Sequence, residues 1–494
     1  MAEGARLESV FTRKGNVGSN PTLSAILSIT WELLGERRGY VPPALRFRPC
    51  VSPVPAFRVC FLRSRVSDAF LANIRGQMSG FLQYTAGLHQ MKRAVLIGVL
   101  IIEIVLAVTL VPHADRARLQ SIDFVNFYAA ASIIRQGNGA MLYRRETQDP
   151  VLQSILGHPS NQYFLHPPFE AAALVPLSYL KIEQAFVVWS LINAGLLGLM
   201  PLVLMPCAPA VARRPYLGLL GFAFLPALTA LTLGQDSILL LFILSSAYLL
   251  MCKDLELAAG LVLALATIKF QYLLILLPLL LVWRKTRAVA GFAVGGAFLV
   301  FVSWLIMGTG GLIEYVRFVR SFDLHSGYGG LNQALMINWR GFLAGIDRAK
   351  PSAACYWTGE IILILPGLLC LRVPQTARTR ALIFALFISV AVAASPYAHF
   401  PDMTVLLLPI FLAGSYIETA PGKTAWLQKL VAFCCVSLFV WPLLLLGLGG
   451  HYWWNSRIYL TFPVLLLFIV SLGFEVRISR TRAAGQRPAE IEAG

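Results

Sequence analysis

Long apolar runs recur along this 494-residue chain, near 94–111, 183–206, 216–233, 236–251, 257–283, 288–307, 354–371, 381–395, 403–418, 429–447 and 458–475. A bilayer crossing takes roughly 20 apolar residues as a helix, so the repetition constrains the chain to an all-α polytopic membrane protein. Composition agrees. Only 13% of residues are charged, against about 25% in soluble domains, 57% are hydrophobic, and the mean hydropathy is +0.70.

The net charge of +17 would suit a nucleic-acid partner, but the basic residues lie in short loops between apolar runs and in the first 90 residues. That placement fits membrane orientation and anionic headgroups, so membrane lipids and no nucleic acid are expected as partners. The eight cysteines form no CxxC pair, which argues against a thiolate metal site or a disulfide framework.

Residues 1–90 carry eleven Lys/Arg against five Asp/Glu and no sustained apolar period. "GARLESVFTRKGNVGSNPTLSA" reads like a translated transfer-RNA gene, so a native start at Met91 or Met78 is expected, with 1–90 a poorly ordered extension. Residues 91–476 then form the membrane domain and 477–494 a cytoplasmic tail. The run after Met91 lacks a small-x-small cleavage site and reads as a retained helix.

Short positive loops mark the cytoplasmic side. Lys92 and Arg93, Arg213 and Arg214, Lys253, Arg284 with Lys285 and Arg287, Arg372 with Arg378 and Arg380, Lys423 and the tail from Arg477 fall there. One run alone separates Lys253 from Arg284, and a single crossing would break the parity of every later loop. Two short helices meeting at "IKFQY" (268–272) restore it, with Lys269 entering from the outer side. The expected result is about 11–13 transmembrane helices in the cell (inner) membrane, with both termini cytoplasmic and long outer loops at 112–182 and 308–353. The segment 167–180 is too short to span and reads as interfacial or re-entrant.

On that topology Asp123, His166, Gln235, Asp236, Lys269, Gln271, His325, Arg340, His399, Asp402 and His451 all map to the outer face, which suggests a reaction chamber there. Asp123 opens "FVNFYAAASIIRQ", whose Phe124, Phe127 and Tyr128 suit a helix lying flat on the outer leaflet. Spacing alone makes Asp123 an N-cap; capping and catalysis need not compete. His166 in "YFLHPPFE" sits in a turn or at a helix start, Lys269 either snorkels or needs a counter-charge, and Asp402 reads first as a cap. Arg317, Arg320 and Arg340 suit phosphate or headgroups. No Walker loop, GxGxxG, HExxH or GxSxG stands in a usable setting, and "GFAVGGAF" (291–298) reads as close helix packing.

"DFVNFYAAASIIRQGNGAMLY", "HPPFEAAALVPLSYL" with "AFVVWSLIN", "GQDSILLLFILSSAYLL", "LAAGLVLALATIKFQYLLILLPLLLVWRK" and "SPYAHFPDMTVLLLP", in this order, resemble blocks of glycosyltransferase family 87, from about Met91 to residue 420. His166 stands where that family often has Tyr, and "KFQY" lacks the usual proline after the lysine. The resemblance implies a GT-C type bundle with outer-face interfacial helices and an active site facing outward. It also implies a hexosyltransferase, mannose favoured, that draws on a polyprenyl-phosphate sugar and extends an outer-leaflet glycolipid or glycan. Asp123 would be the general base of an inverting attack. Tyr128, His166, Gln235, Lys269, Gln271, His325, Arg340 and His399 would bind substrate, with no metal and no cofactor beyond the lipid-linked donor. A polysaccharide ligase or polymerase and a 12-helix secondary transporter are the alternatives. The transporter would be expected to show an internal repeat and midplane polar groups, and the ligase or polymerase paired arginines in a large late outer loop.

Overall fold

The computed structural model describes residues 97–98, 101, 122–159, 163–208, 211, 215–321, 333–346, 352–368, 373, 376–419, 425–449 and 457–491, all within one compact unit, 74–494. The basic leader, nearly all of the run at 94–111, His325 and His451 lie outside the described residues.

The described chain is helical throughout, its only strand-like pairing an isolated bridge between Met336 and His399. From residue 122 on, the described elements begin with three short helices: α1 (Phe124–Arg135), α2 (Arg145–Leu156) and α3 (Pro168–Ala173). Then follow α4 (Ile182–Leu204), α5 (Leu225–Leu233), α6 (Ser237–Cys252), α7 (Glu256–Ala264), α8 (Phe270–Val282) and α9 (Thr286–Ser321). The remainder is α10 (Trp339–Ile346), α11 (Ala353–Leu368), α12 (Ala377–Ala394), α13 (Leu407–Thr419), α14 (Ala425–Gly449) and α15 (Thr461–Ile491).

Among the described residues, six helical segments are long and apolar enough to cross a membrane: Ile182–Leu204, Glu256–Val282, Thr286–Arg320, Phe400–Glu418, Trp426–Leu445 and Ile458–Ser479. Three shorter apolar helices, Ser237–Cys252, Ala354–Leu368 and Thr379–Ala394, add to these. The chain is an all-α polytopic membrane protein. The apolar run at 216–233 is not one helix. A 3-10 stretch, Pro215–Ala223, gives way at the extended residue Phe224 to the short α5, whose N-terminus carries Pro226.

The segment Glu256–Val282 does not cross as one rod. A straight helix of that length would separate its ends by about 40 Å, yet Lys285 Nζ lies 2.7 Å from Glu256 Oε1. The chain rises through α7 and the 3-10 turn Leu265–Lys269, breaks at Lys269 (φ −124°, ψ 66°), and returns through α8. This is the hairpin that loop parity required, with Lys269 at its apex. The first half of α9 packs beside α7 so closely that a Cβ on Gly291 would stand 2.1 Å from the Leu257 carbonyl oxygen. In lipid, where apolar burial between helices gives no hydrophobic gain, such contact is what holds helices together.

α12 is the centre of the bundle. Every residue from Leu382 to Ala394 is buried, and the helix touches α8, α11, α13 and α15. A helix apolar on all sides suits a protein core or lipid, and this one is enclosed by protein. Its C-terminal exit, Ser395–Pro396, therefore leaves from a fixed point.

The bundle has two polar ends. At one, Arg380 donates to the Met251 carbonyl and pairs with Asp254 at 3.3 Å, beside Lys253 and the Lys285–Glu256 pair. The other lies at the opposite terminus of α6, about 24 Å away by helix rise, and holds Asp236 and Ser237.

Candidate active site

Four segments converge at that second end. The turn after α5 is the first. Gly234 adopts φ +69°, and an added Cβ there would lie 2.6 Å from Phe124 Cβ, so the close approach of α1 demands glycine. Trp189 Nε1 donates to the Gly234 carbonyl at 2.8 Å and fixes the turn. Gln235, Asp236 and Ser237 are thereby presented in succession.

The second segment is the hairpin apex. Lys269 is 5% exposed; its Nζ lies 2.9 Å from Asp236 Oδ1, donates to Ser237 Oγ at 2.9 Å and pairs with Asp402 Oδ1. The third is the corner after α12, where the Ile337 amide donates to the Ala398 carbonyl at 2.9 Å and Asn338 Nδ2 to the Ser395 carbonyl at 2.6 Å. Asp402 Oδ2 accepts from the His399 amide at 2.9 Å, and Asp402 Oδ1 accepts from Ser237 at 2.8 Å. The capping role expected of Asp402 is present, and a buried ion pair is added to it.

The fourth is the His166 turn. Pro167 and Pro168 open α3, which places Glu170 one turn on from His166. His166 Nδ1 lies 2.9 Å from Glu170 Oε2 and 3.3 Å from Asp236 Oδ2. Phe127 meets the imidazole edge-on at 4.9 Å, Phe164 stacks at 5.6 Å, and Tyr143 Oη donates to the His166 carbonyl. Burial disfavours the imidazolium, but the Glu170 and Asp236 carboxylates outweigh it and push its pKa up to about 10. Burial raises the Glu170 carboxyl, against the pull of His166.

Asp123 stands at the rim. It occupies the N-cap position of α1, but its side chain makes no capping hydrogen bond, so the expected cap is corrected. Gln235 Nε2 donates to Asp123 Oδ2 instead, while Gln235 Oε1 lies 3.5 Å from Lys269 Nζ. Desolvation raises the Asp123 carboxyl above its ordinary value; the Gln235 hydrogen bond and the Lys269 charge oppose the rise. The aromatic face of α1 expected to meet lipid is packed against protein instead. Phe124, Val125, Phe127 and Ala129–Ile133 are all buried, because the alanine run lets neighbouring elements approach it closely.

Asp123, His166, Gln235, Lys269 and the His399 backbone are therefore brought together. Three expected residues are not. Tyr128 Oη donates to the Leu180 carbonyl at 2.8 Å, and half-buried Gln271 forms no hydrogen bond to the cluster among the described residues. Arg340 is spent on buried Glu360, with Tyr356 and Trp357 rings 5.3 Å from its guanidinium, so it is not free for phosphate. Arg317 is exposed and pairs with Glu314 at 3.2 Å. Sequence reasoning left Glu170 out altogether; its signal was the i, i+4 spacing from His166 across a Pro-Pro helix start.

In a polytopic helical membrane protein, a buried ionic cluster of carboxylates, lysine and imidazole at one end of the bundle is a candidate functional site. Residues 164–396 match the family model described as Glycosyltransferase family 87, and over that region the chain is similar to this family. It is a membrane glycosyltransferase. The matched region holds His166, Glu170, Gln235, Asp236 and Lys269; Asp123, His399 and Asp402 flank it. No curated protein and no solved structure matches the chain.

Proposed function

We propose that the protein transfers a hexose, mannose favoured, from a polyprenyl-phosphate sugar to a glycolipid or glycan acceptor at the outer leaflet of the cell (inner) membrane. Asp123 is the general base. The observation that carries this reading is the placement of Asp123 at the rim of the ionic cluster, held through Gln235 rather than spent as a helix cap. An outer-face enzyme has no access to cytoplasmic nucleotide sugars, so its donor arrives on a lipid. The basic groups Lys253, Arg284, Lys285 and Arg380 at the opposite end support the outward orientation of the cluster under the positive-inside rule.

In the reaction Asp123 accepts the proton of the acceptor hydroxyl as that oxygen attacks the anomeric carbon from the face opposite the phosphate. The carbon–oxygen bond to the polyprenyl phosphate breaks, and the configuration inverts. Gln235 holds the carboxylate in place and links it to Lys269. His399, whose Nε2 is buried without a hydrogen-bond partner among the described residues, is a donor for the substrate.

The test is an assay of purified protein with a panel of polyprenyl-phosphate sugars, reading labelled lipid products. Asp123→Asn keeps the shape and removes the base. It is expected to fold normally and to lose about 10²–10⁴-fold in turnover. Near wild-type turnover in that variant would remove Asp123 from the role, and transfer from none of the donors would remove the donor class.

A further inference from the structure

The cluster holds more acidic side chains than basic ones. Asp123, Glu170, Asp236 and Asp402 face Lys269 and His166, four carboxylates to two basic side chains. Lys269 is fully engaged by Asp236, Asp402 and Ser237. A departing phosphate would meet carboxylates whose counter-charges are already taken, and the arginine best placed by sequence, Arg340, is locked to Glu360.

Within this cluster one nitrogen and two carboxylates have the spacing of a ligand set. His166, Glu170 and Asp236 each offer a ligand atom, and these atoms lie within 4.8 Å of one another. The imidazole is held between Phe127 and Phe164, so its Nδ1 is aimed and not free to swing. Lys269 on Asp236 Oδ1 orients that carboxylate from behind, as outer groups orient ligands in built metal sites. An ion pair with His166 accounts for Glu170 Oε2 alone. Glu170 is 4% exposed, and its Oε1 is buried with no hydrogen-bond or ion-pair partner among the described residues.

We propose that His166, Glu170 and Asp236 form a divalent-cation site of the Mn²⁺ or Mg²⁺ class, with open coordination positions that take a phosphate oxygen. Two carboxylates and one imidazole are ligands such ions accept. Three protein ligands leave room for water or substrate. The ion restores charge balance in the cluster and supplies the positive charge that Lys269 cannot spare. The cation site stands on its ligands alone; its task at the donor phosphate rests on the proposed function.

The experiment is a Mn²⁺ titration of the full-length protein, purified in detergent and stripped with EDTA, followed by electron paramagnetic resonance of the free ion. One saturable site per chain is expected, weakened about 10-fold or more in Glu170→Gln. Asp123→Asn, outside the ligand set, is expected to bind Mn²⁺ as the wild type does while losing transfer, which separates failure of the base from failure of the site. Where Glu170→Gln does not fold, an EDTA-reversible rise in the wild-type melting temperature with Mn²⁺ reads the same site. No saturable binding, equal affinity in wild type and Glu170→Gln, or no such rise overturns the proposal.

Discussion

Asp123 accepts a hydrogen bond from Gln235 and caps nothing, although it sits where a cap would sit. Burial raises its carboxyl, and a base works only in its deprotonated form. Turnover is therefore expected to fall as pH drops through that raised value, above the ~3.9 of a free aspartate. The Gln235 hydrogen bond favours the carboxylate, so Gln235→Ala should move the acid limb of kcat/KM further up; a limb that stays put or moves down would disconnect the two residues. Lys269 yields a stability prediction. Removing one partner from a buried ion pair costs about 3–5 kcal/mol because it strands the other charge. Lys269→Met strands Asp236 and Asp402 together and should lower the melting temperature of the detergent-solubilised protein clearly. At this scale the sequence was partly legible. An aspartate after a helix, a lysine between apolar half-helices and a histidine before two prolines are conspicuous, because polar groups in apolar surroundings are costly. Glu170 was not conspicuous, since an acid outside the long apolar runs costs nothing until the fold buries it.

Among the elements, the hairpin of α7 and α8 does most to assemble the site. It carries Lys269 to the level of Asp236 and Asp402, and its two feet are tied by Lys285 and Glu256. α9 is the second device. It bends at Gly308 (φ +67°, ψ 179°), a conformation open to glycine and strained for other residues, and its last turns then pack against Tyr143. Tyr315 and Phe318 lie 4.6 and 5.6 Å from the Tyr143 ring, and Tyr143 holds the His166 carbonyl. Gly308→Ala meets no steric neighbour within 4 Å, so its whole cost is backbone strain, about 1–3 kcal/mol. A lower melting temperature with unchanged expression is the expected reading; an unshifted melt would mean that the kink relaxes. The hairpin was legible from loop charges because parity admits one solution. The helical continuation of α9 beyond 308 was not: once a run stops being apolar, hydropathy no longer separates helix from loop.

Over the whole molecule, polar function is divided between two ends of an apolar bundle. The basic groups Lys253, Arg284, Lys285 and Arg380 gather at one, the carboxylate–lysine–histidine cluster at the other. Single cysteines introduced at Asp254 and at His158, both exposed, in a chain freed of its own cysteines, should react with a membrane-impermeant reagent from opposite sides of sealed vesicles. Labelling of both from one side would refute the two-ended arrangement.

Sequence by itself determined that the chain is a helical membrane protein, that a hairpin turns at Lys269, and which blocks resemble a glycosyltransferase family. Each of these follows from hydropathy, charge and motif, which are local and additive along the chain. Only the tertiary structure decided that Asp123 is held by Gln235, that Arg340 is spent on Glu360, and that Glu170 joins His166 and Asp236. Those outcomes turn on which side chains meet after segments far apart in sequence have packed, and in a buried cluster the partner that arrives decides the role of each charge.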